Sequence, residues 1–109
     1  MALPVYSVQL DARTMTSGEE VTLTAPVGKQ WIMRDIDLVN NTGTDKINLY
    51  VGPGPGSYVL IVTVGGGEAY STSSWRGRQV IPAGQNLVVL NVEGTPSYAI
   101  SGYQLSPPS

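Results

Sequence analysis

The sequence predicts an all-β protein, namely a single antiparallel β-sandwich of two sheets with negligible helix. Apolar runs bounded by turn residues recur roughly every 8 to 14 residues, a spacing typical of sandwiches and barrels, and they number about eight. No segment keeps an apolar period of 3.6 residues, so no helix is expected. The 13 glycines and 8 prolines interrupt the chain at short intervals and supply the turns.

The predicted strands alternate apolar and polar side chains, as strands with one buried face do. In order they are VYSVQLDA, VTLTA, WIMRDIDLVN, KINLYV, SYVLIVTV, WRGRQVI, NLVVLNV and YAISGYQL. Residues 1–105 are predicted to form this one domain, and residues 106–109 a short flexible tail. Antiparallel strands joined by polar turns suit a two-sheet sandwich, and a jelly roll is one connectivity that fits them.

The longest predicted strand, residues 31–40, carries polar and apolar side chains on both faces. Strict alternation puts Ile32, Ile36 and Leu38 on one face together with Arg34. This mixture predicts a strand that is covered on both sides. The stretch NNTGTD follows, and because Asn and Gly tolerate positive φ it predicts a hairpin from this strand to KINLYV.

The aliphatic run Val59–Val64 contains no charged residue. We expect a central strand here, because an uncovered apolar edge strand pairs readily with other chains. The alternative is that a neighbouring subunit covers part of it. The preceding GPGPG is expected to be a rigid connection rather than a phosphate-binding loop, since Pro53 and Pro55 have no backbone N–H to offer an anion.

Composition argues against most classes of chemistry and several classes of partner. Histidine and cysteine are both absent, which removes the commonest general bases, nucleophiles and metal ligands. A net charge of -2 gives no field to attract nucleic acid. The apolar runs are too short to span a membrane, and MALPVYSVQLDAR lacks the features of a secretion signal. We therefore expect a protein that is not an enzyme, with no metal, cofactor, nucleic acid or membrane partner.

Two features retain open alternatives. Asp35 and Asp37 lie two apart on one strand, a spacing that suits a cation, a glycosidic bond, or a polar stripe paired with Arg or Lys of a neighbouring strand. The last is favoured. In WRGR, alternation places Arg76 and Arg78 on one face, and Trp75 with Gly77 on the other. This cluster suits a structural role, contact with a protein, or stacking on a sugar.

Aromatic and arginine side chains are the usual anchors of interfaces. The candidate contact residues, for a protein or another ligand, are Trp31, Tyr70, Trp75, Arg76, Arg78 and Tyr103. A sugar would require an aromatic platform formed by Trp75, Tyr70 and Tyr103.

Three segments together resemble small β-sandwich virion proteins of tailed bacteriophages, namely RDIDLVNNTG, SSWRGRQVIPAGQNLVV and AISGYQL. The likeness spans nearly the whole chain and has modest motif content. The positions that carry it are Arg34, Ile36, Asn40, Trp75, Gly77, Arg78, Pro82, Ala83, Gly84, Ser101, Gly102 and Tyr103.

The resemblance implies a structural protein on the surface of a virion. Such a protein binds repeated sites on the capsid as a decoration or cement subunit, often as a trimer, with other copies of itself and the major capsid protein as partners. The alternatives are a minor tail or fibre-associated module that binds a tail protein, and a carbohydrate-binding sandwich that recognises host glycans.

Overall fold

A computed structural model describes residues 5–54, 56–65 and 71–106. These residues form eight strands and no helix, which confirms the predicted all-β sandwich. The strands are β1 (Val5–Thr14), β2 (Glu20–Thr24), β3 (Gln30–Val39), β4 (Lys46–Gly52), β5 (Val59–Gly65), β6 (Thr72–Ile81), β7 (Asn86–Glu93) and β8 (Ser97–Leu105). In this part of the chain there is accordingly no helix of the length and apolarity that crossing a membrane requires.

The strands form two antiparallel sheets of four. The first sheet has the order β1-β8-β3-β6 and the second has the order β2-β7-β4-β5. The pairs are nested, with β1 beside β8, β2 beside β7, β3 beside β6 and β4 beside β5. This is the arrangement of one long hairpin rolled into a sandwich, so the chain is a jelly roll.

The predicted hairpin between β3 and β4 is wrong. The two strands belong to different sheets, and the turn between them crosses from one sheet to the other. The buried carboxylate of Asp45 holds this turn, because it accepts hydrogen bonds from the backbone N–H groups of Asn41, at 2.8 Å, and Thr42. Gly43 supplies a positive φ of 107°. The stretch NNTGTD correctly predicted a reversal of the chain after β3, but turn residues do not specify which strand pairs with β3.

A β-bulge in β3 explains its mixed faces. Against β8, the partners of Met33 and Asp35 are the adjacent residues Gly102 and Ser101, so Arg34 is the extra residue of the pair. Against β6 the register shifts at the same place in the opposite sense, with Gly77 and Arg78 both facing Arg34. Met33 and Ile36 therefore both point into the core, although strict alternation would separate them. The prediction of a strand covered on both sides is wrong within the monomer, since Arg34 is exposed on the outer face.

Strand β5 is an edge strand, so the predicted central position of Val59–Val64 is also wrong. It pairs with β4 alone, across the GPGPG connection. Its inner face contributes Val62 and Val64 to the core, whereas Val59 and Leu60 are 64% and 50% exposed. β4 and β5 form the innermost hairpin of the nested pairs, and β5 therefore lies at an edge of its sheet.

The core lies between the sheets and is almost entirely aliphatic. Its fully buried members include Met33, Ile36 and Leu38 from the first sheet and Leu49 and Val89 from the second. Of the predicted tail, only Ser106 lies within the described residues, and its hydroxyl accepts a hydrogen bond of 2.6 Å from Lys29 Nζ.

Candidate functional site

Strand β6 divides the predicted contact residues between its two faces. Trp75 packs against the core, and its ring covers Gly77, where a Cβ would lie 2.6 Å from the indole Cζ2. Arg76 and Arg78 alternate with these residues and are exposed on the outer face. The arginines are therefore the side chains of this segment that a partner would meet, while Trp75 is partly buried within the fold.

Arg76 is held by both aspartates of β3. Its Nη2 lies 2.9 Å from Asp37 Oδ1, and its Nε lies 3.2 Å from Asp35 Oδ1. Ser74 also donates to Asp37, at 2.8 Å. The hydrogen bonds from Arg76 and Ser74 lower the pKa of the Asp37 carboxyl. The paired polar stripe favoured for Asp35 and Asp37 is confirmed.

The remaining predicted aromatic residues do not converge on one surface. Trp31 packs against the core, and its Nε1 donates to Gln104 Oε1 at 3.1 Å. Tyr103 lies on the outer face of the first sheet, where the Arg34 guanidinium sits 5.9 Å from the ring centroid. Trp75 faces inward and Tyr103 outward, so these two do not share the predicted sugar platform. Its third member, Tyr70, lies outside the described residues.

A second charged cluster joins β1 to β8. Asp11 accepts hydrogen bonds from the Tyr98 hydroxyl at 2.5 Å and from Arg13 Nε at 2.8 Å. Burial raises the pKa of the Asp11 carboxyl, but the hydrogen bonds from Arg13 and Tyr98 outweigh it, and the pKa lies below the ordinary value of 3.8. The carboxylate thus stabilises the fold in its ionised form.

We expect the Asp11→Asn variant to be less stable than the parent at pH 7, with a difference that shrinks as the pH falls below 4. The pKa of Asp11 is depressed by folding, so its contribution is present above the unfolded pKa and is lost as the pH falls through the folded pKa. Thermal unfolding followed by circular dichroism at pH 7 and pH 3 measures the difference. Asp37→Asn is the control, since that carboxylate is 47% exposed, and its effect should be smaller. A difference for Asp11→Asn that is equal at the two pH values would contradict this account.

A cavity on the outer face of the second sheet was not foreseen from the sequence. It has a volume of ≈ 230 Å³ and is lined by Glu20, Tyr50, Tyr58, Val88 and Leu90. The strand register assembles it, because Glu20 lies opposite Leu90 and Tyr50 lies opposite Val88. Val88 is 3% exposed although its neighbours along β7 point into the core. We call these five residues the tyrosine cavity.

Hydrogen bonds position both tyrosine rings of the cavity. The Tyr58 hydroxyl accepts a bond of 3.0 Å from Asn86 Nδ2, and the Tyr50 hydroxyl accepts one of 3.4 Å from Asn48 Nδ2. Leu60 lies opposite Tyr50 across the β4–β5 register, so its exposed side chain extends the apolar surface to the edge of the sheet. The outer face of the second sheet therefore combines a small concave site with an uncharged rim at β5.

Comparisons with known proteins identify the fold. No family model matches the chain, and no curated protein matches it. Among solved structures, the Drosophila NLP core, described for its pentamer formation and histone binding, is 18% identical with a TM-score of 0.56, over 92% of this chain and 96% of that one. A chain of infectious bursal disease virus, Gx strain, is 12% identical with a TM-score of 0.56, over 94% of this chain.

A third solved structure, Eiger TNF from S. frugiperda, is 11% identical with a TM-score of 0.50, over 97% of this chain and 94% of that one. The chain spans about a third of the length of the viral chain, since the match covers 32% of it. These likenesses show a shared β-sandwich architecture.

Proposed function

We propose that the chain is a structural subunit of a bacteriophage particle that binds repeated sites on the capsid surface as a decoration or cement protein. It acts through contact with the shell and with its own copies, and performs no reaction. Each copy then needs only moderate affinity, because many equivalent contacts act together. The resemblance of RDIDLVNNTG and SSWRGRQVIPAGQNLVV to phage virion proteins supports this role.

The observation that carries the proposal is the exposed apolar edge strand β5, which lies beside the tyrosine cavity. Leu60 and Val59 are exposed on a strand that has no charge between residues 59 and 64. Natural edge strands usually carry charges or prolines that block pairing with other chains. An edge without such protection, beside a concave aromatic site, is typical of a surface that a partner covers.

Two alternatives use the same fold with other partners. A tail or fibre-associated module would bind a tail protein through the same exposed surface. A carbohydrate-binding module requires an aromatic platform, and Trp75 and Tyr103 lie on opposite faces of the first sheet. We favour the capsid role, with the protein located at the surface of the virion.

The test is binding to empty shells assembled from the major capsid protein of the phage to which the proposal assigns this chain. We expect saturable binding, measured by light scattering, at a fixed number of copies per capsid protein. Leu60→Lys should weaken it by at least about tenfold, which corresponds to ~1.4 kcal/mol, because it would bury a lysine charge without a partner in an apolar contact. Val27→Lys is the matched control, because Val27 is 92% exposed and lies in the turn before β3. No binding to shells, together with saturable binding to a glycan array, would contradict the capsid role.

A further inference from the structure

Six charged side chains of the described residues form ion pairs within the chain. Arg13 pairs with Asp11 and lies 3.9 Å from Glu19, and Arg76 pairs with both aspartates of β3. Among the charges that form no ion pair within the described residues, Arg34, Arg78 and Glu20 are exposed on the outer faces of the two sheets, where a second copy could reach them.

Two unpaired cations lie on the outer face of the first sheet. Arg34 is the extra residue of the β-bulge against β8 and lies over the Tyr103 ring, and no carboxylate of the described residues forms an ion pair with it. Arg78 is exposed on the neighbouring strand β6, and no carboxylate in the described part of the chain lies within ion-pairing distance of it. We call Arg34, Arg78 and Tyr103 the arginine face.

The opposite side of the sandwich carries an unpaired anion. Glu20 is exposed at the rim of the tyrosine cavity, and no cation of the described residues pairs with it. Beside it are two tyrosine rings and an apolar floor formed by Val88 and Leu90. A carboxylate next to aromatic rings is the environment that binds a guanidinium, which pairs with the acid and stacks on the rings.

The size of the cavity favours a side chain over a free ligand. Pockets for drug-sized molecules measure about 300–1,000 Å³, whereas this one measures ≈ 230 Å³. The chain already stacks an arginine on a tyrosine, at Arg34 and Tyr103. The same chemistry between copies requires an exposed arginine on one copy and accessible tyrosine rings on the other. Arg78 is exposed, and Tyr50 and Tyr58 are partly exposed at the cavity.

We propose that two copies of the chain associate head to tail, with Arg78 of one copy inserted into the tyrosine cavity of the next. Its guanidinium pairs with Glu20 and packs on Tyr50 and Tyr58, while Arg34 lies at the rim of the contact. This proposal deepens the proposed function, on which it rests, by naming the surfaces through which copies meet.

The location of the two surfaces determines the symmetry of the assembly. The arginine face and the tyrosine cavity lie on opposite sheets, so the contact joins two different surfaces and is heterologous. Such a contact leaves one free surface of each kind at the ends, and it therefore produces a closed ring or an open chain rather than a two-fold dimer. A trimer of the kind implied by the phage resemblance would be one closed form.

Two variants with different defects test the contact. Glu20→Arg disrupts binding at the tyrosine cavity, because it places a cation beside the incoming Arg78. It leaves the arginine face intact. Arg78→Ala removes the inserted side chain and leaves the cavity intact. Each variant alone should associate at least about tenfold more weakly than the parent, measured by sedimentation velocity. Glu93→Arg is the matched control, since it makes the same charge change on an exposed residue of the second sheet outside the cavity, and it should associate as the parent does.

The mixture of the two variants gives the decisive result. Only one productive contact can form, between Arg78 of the Glu20→Arg chain and the cavity of the Arg78→Ala chain, so the mixture should yield a 1:1 dimer that grows no further. Parent-like association of either variant, or a mixture that stays monomeric, would overturn the head-to-tail contact. A parent protein that is monomeric but still binds shells would overturn this inference alone, whereas failure to bind shells would count against the proposed function.

Discussion

Replacement of Gly102 by alanine is expected to destabilise the protein by about 3 kcal/mol or more, a large part of the ~5–15 kcal/mol that holds a domain together. Gly102 lies on β8 between β1 and β3, opposite Val8 and Met33. A Cβ at this position would overlap the Ile32 carbonyl oxygen and lie 2.9 Å from the Ile32 carbonyl carbon. Backbone atoms at the centre of a sheet cannot move aside without disturbing the hydrogen bonds of both neighbouring strands.

Urea unfolding of Gly102→Ala and Gly54→Ala measures this effect. Gly54 is the matched control, because a Cβ there would meet nothing within 4 Å and its φ needs no glycine. We expect Gly54→Ala to change the free energy of unfolding by less than about 0.5 kcal/mol. Equal stabilities of the two variants would show that β3 and β8 are not as close at Gly102 as the structure has them.

The second large effect is expected at Asn91, whose side chain joins two loops at one end of the sandwich. Asn91 is 3% exposed, and its Nδ2 donates to the carbonyl oxygens of Thr16, at 2.6 Å, and Gly94, at 2.7 Å. Its Oδ1 accepts from the Glu93 N–H at 3.2 Å. Asn91→Leu keeps the volume but removes three part-buried hydrogen bonds at once and leaves their backbone partners facing an apolar side chain, at a cost of about 2–4 kcal/mol.

Asn48→Ala is the control for Asn91→Leu in the same unfolding assay. Asn48 also hydrogen-bonds through its side chain, accepting from Thr63 Oγ1 at 2.8 Å and donating to the Tyr50 hydroxyl at 3.4 Å. The first bond is exposed, so water replaces it, and the second is long. The loss of both should cost less than about 1 kcal/mol. A cost at Asn91 no larger than that at Asn48 would mean that water reaches the loop carbonyls of Thr16 and Gly94.

The strands were predictable from the sequence because they depend on local patterns. Alternation and turn residues located all eight, and alternation alone placed Trp75 beside Gly77 and Arg76 beside Arg78 on the correct pairs of faces. The choice of which strands pair with each other was not predictable from local patterns. The NNTGTD turn specifies a reversal but not whether the next strand returns in the same sheet, and the bulge at Arg34 has no local signal that distinguishes it from regular alternation.

The candidate site also combines features that local patterns predict with features that depend on strand pairing. Charge and spacing predicted that Asp35 and Asp37 pair with an Arg or Lys of a neighbouring strand, and the structure identifies that residue as Arg76. The tyrosine cavity was not predicted, because Glu20, Tyr50, Tyr58 and Val88 come from three strands and a connection, and only the register brings them together. The one available signal was weak, namely that Tyr50 alternates with the buried Leu49 and so faces outward.

We propose that this protein functions by repeated contact with other copies, and the mass of the purified chain in solution tests this proposal most directly. Multi-angle light scattering over a range of concentrations should show a species of more than one chain whose mass rises with concentration toward a defined oligomer or an open series. A mass that stays at that of one chain at every concentration, with no increase when shells are added, would contradict the account.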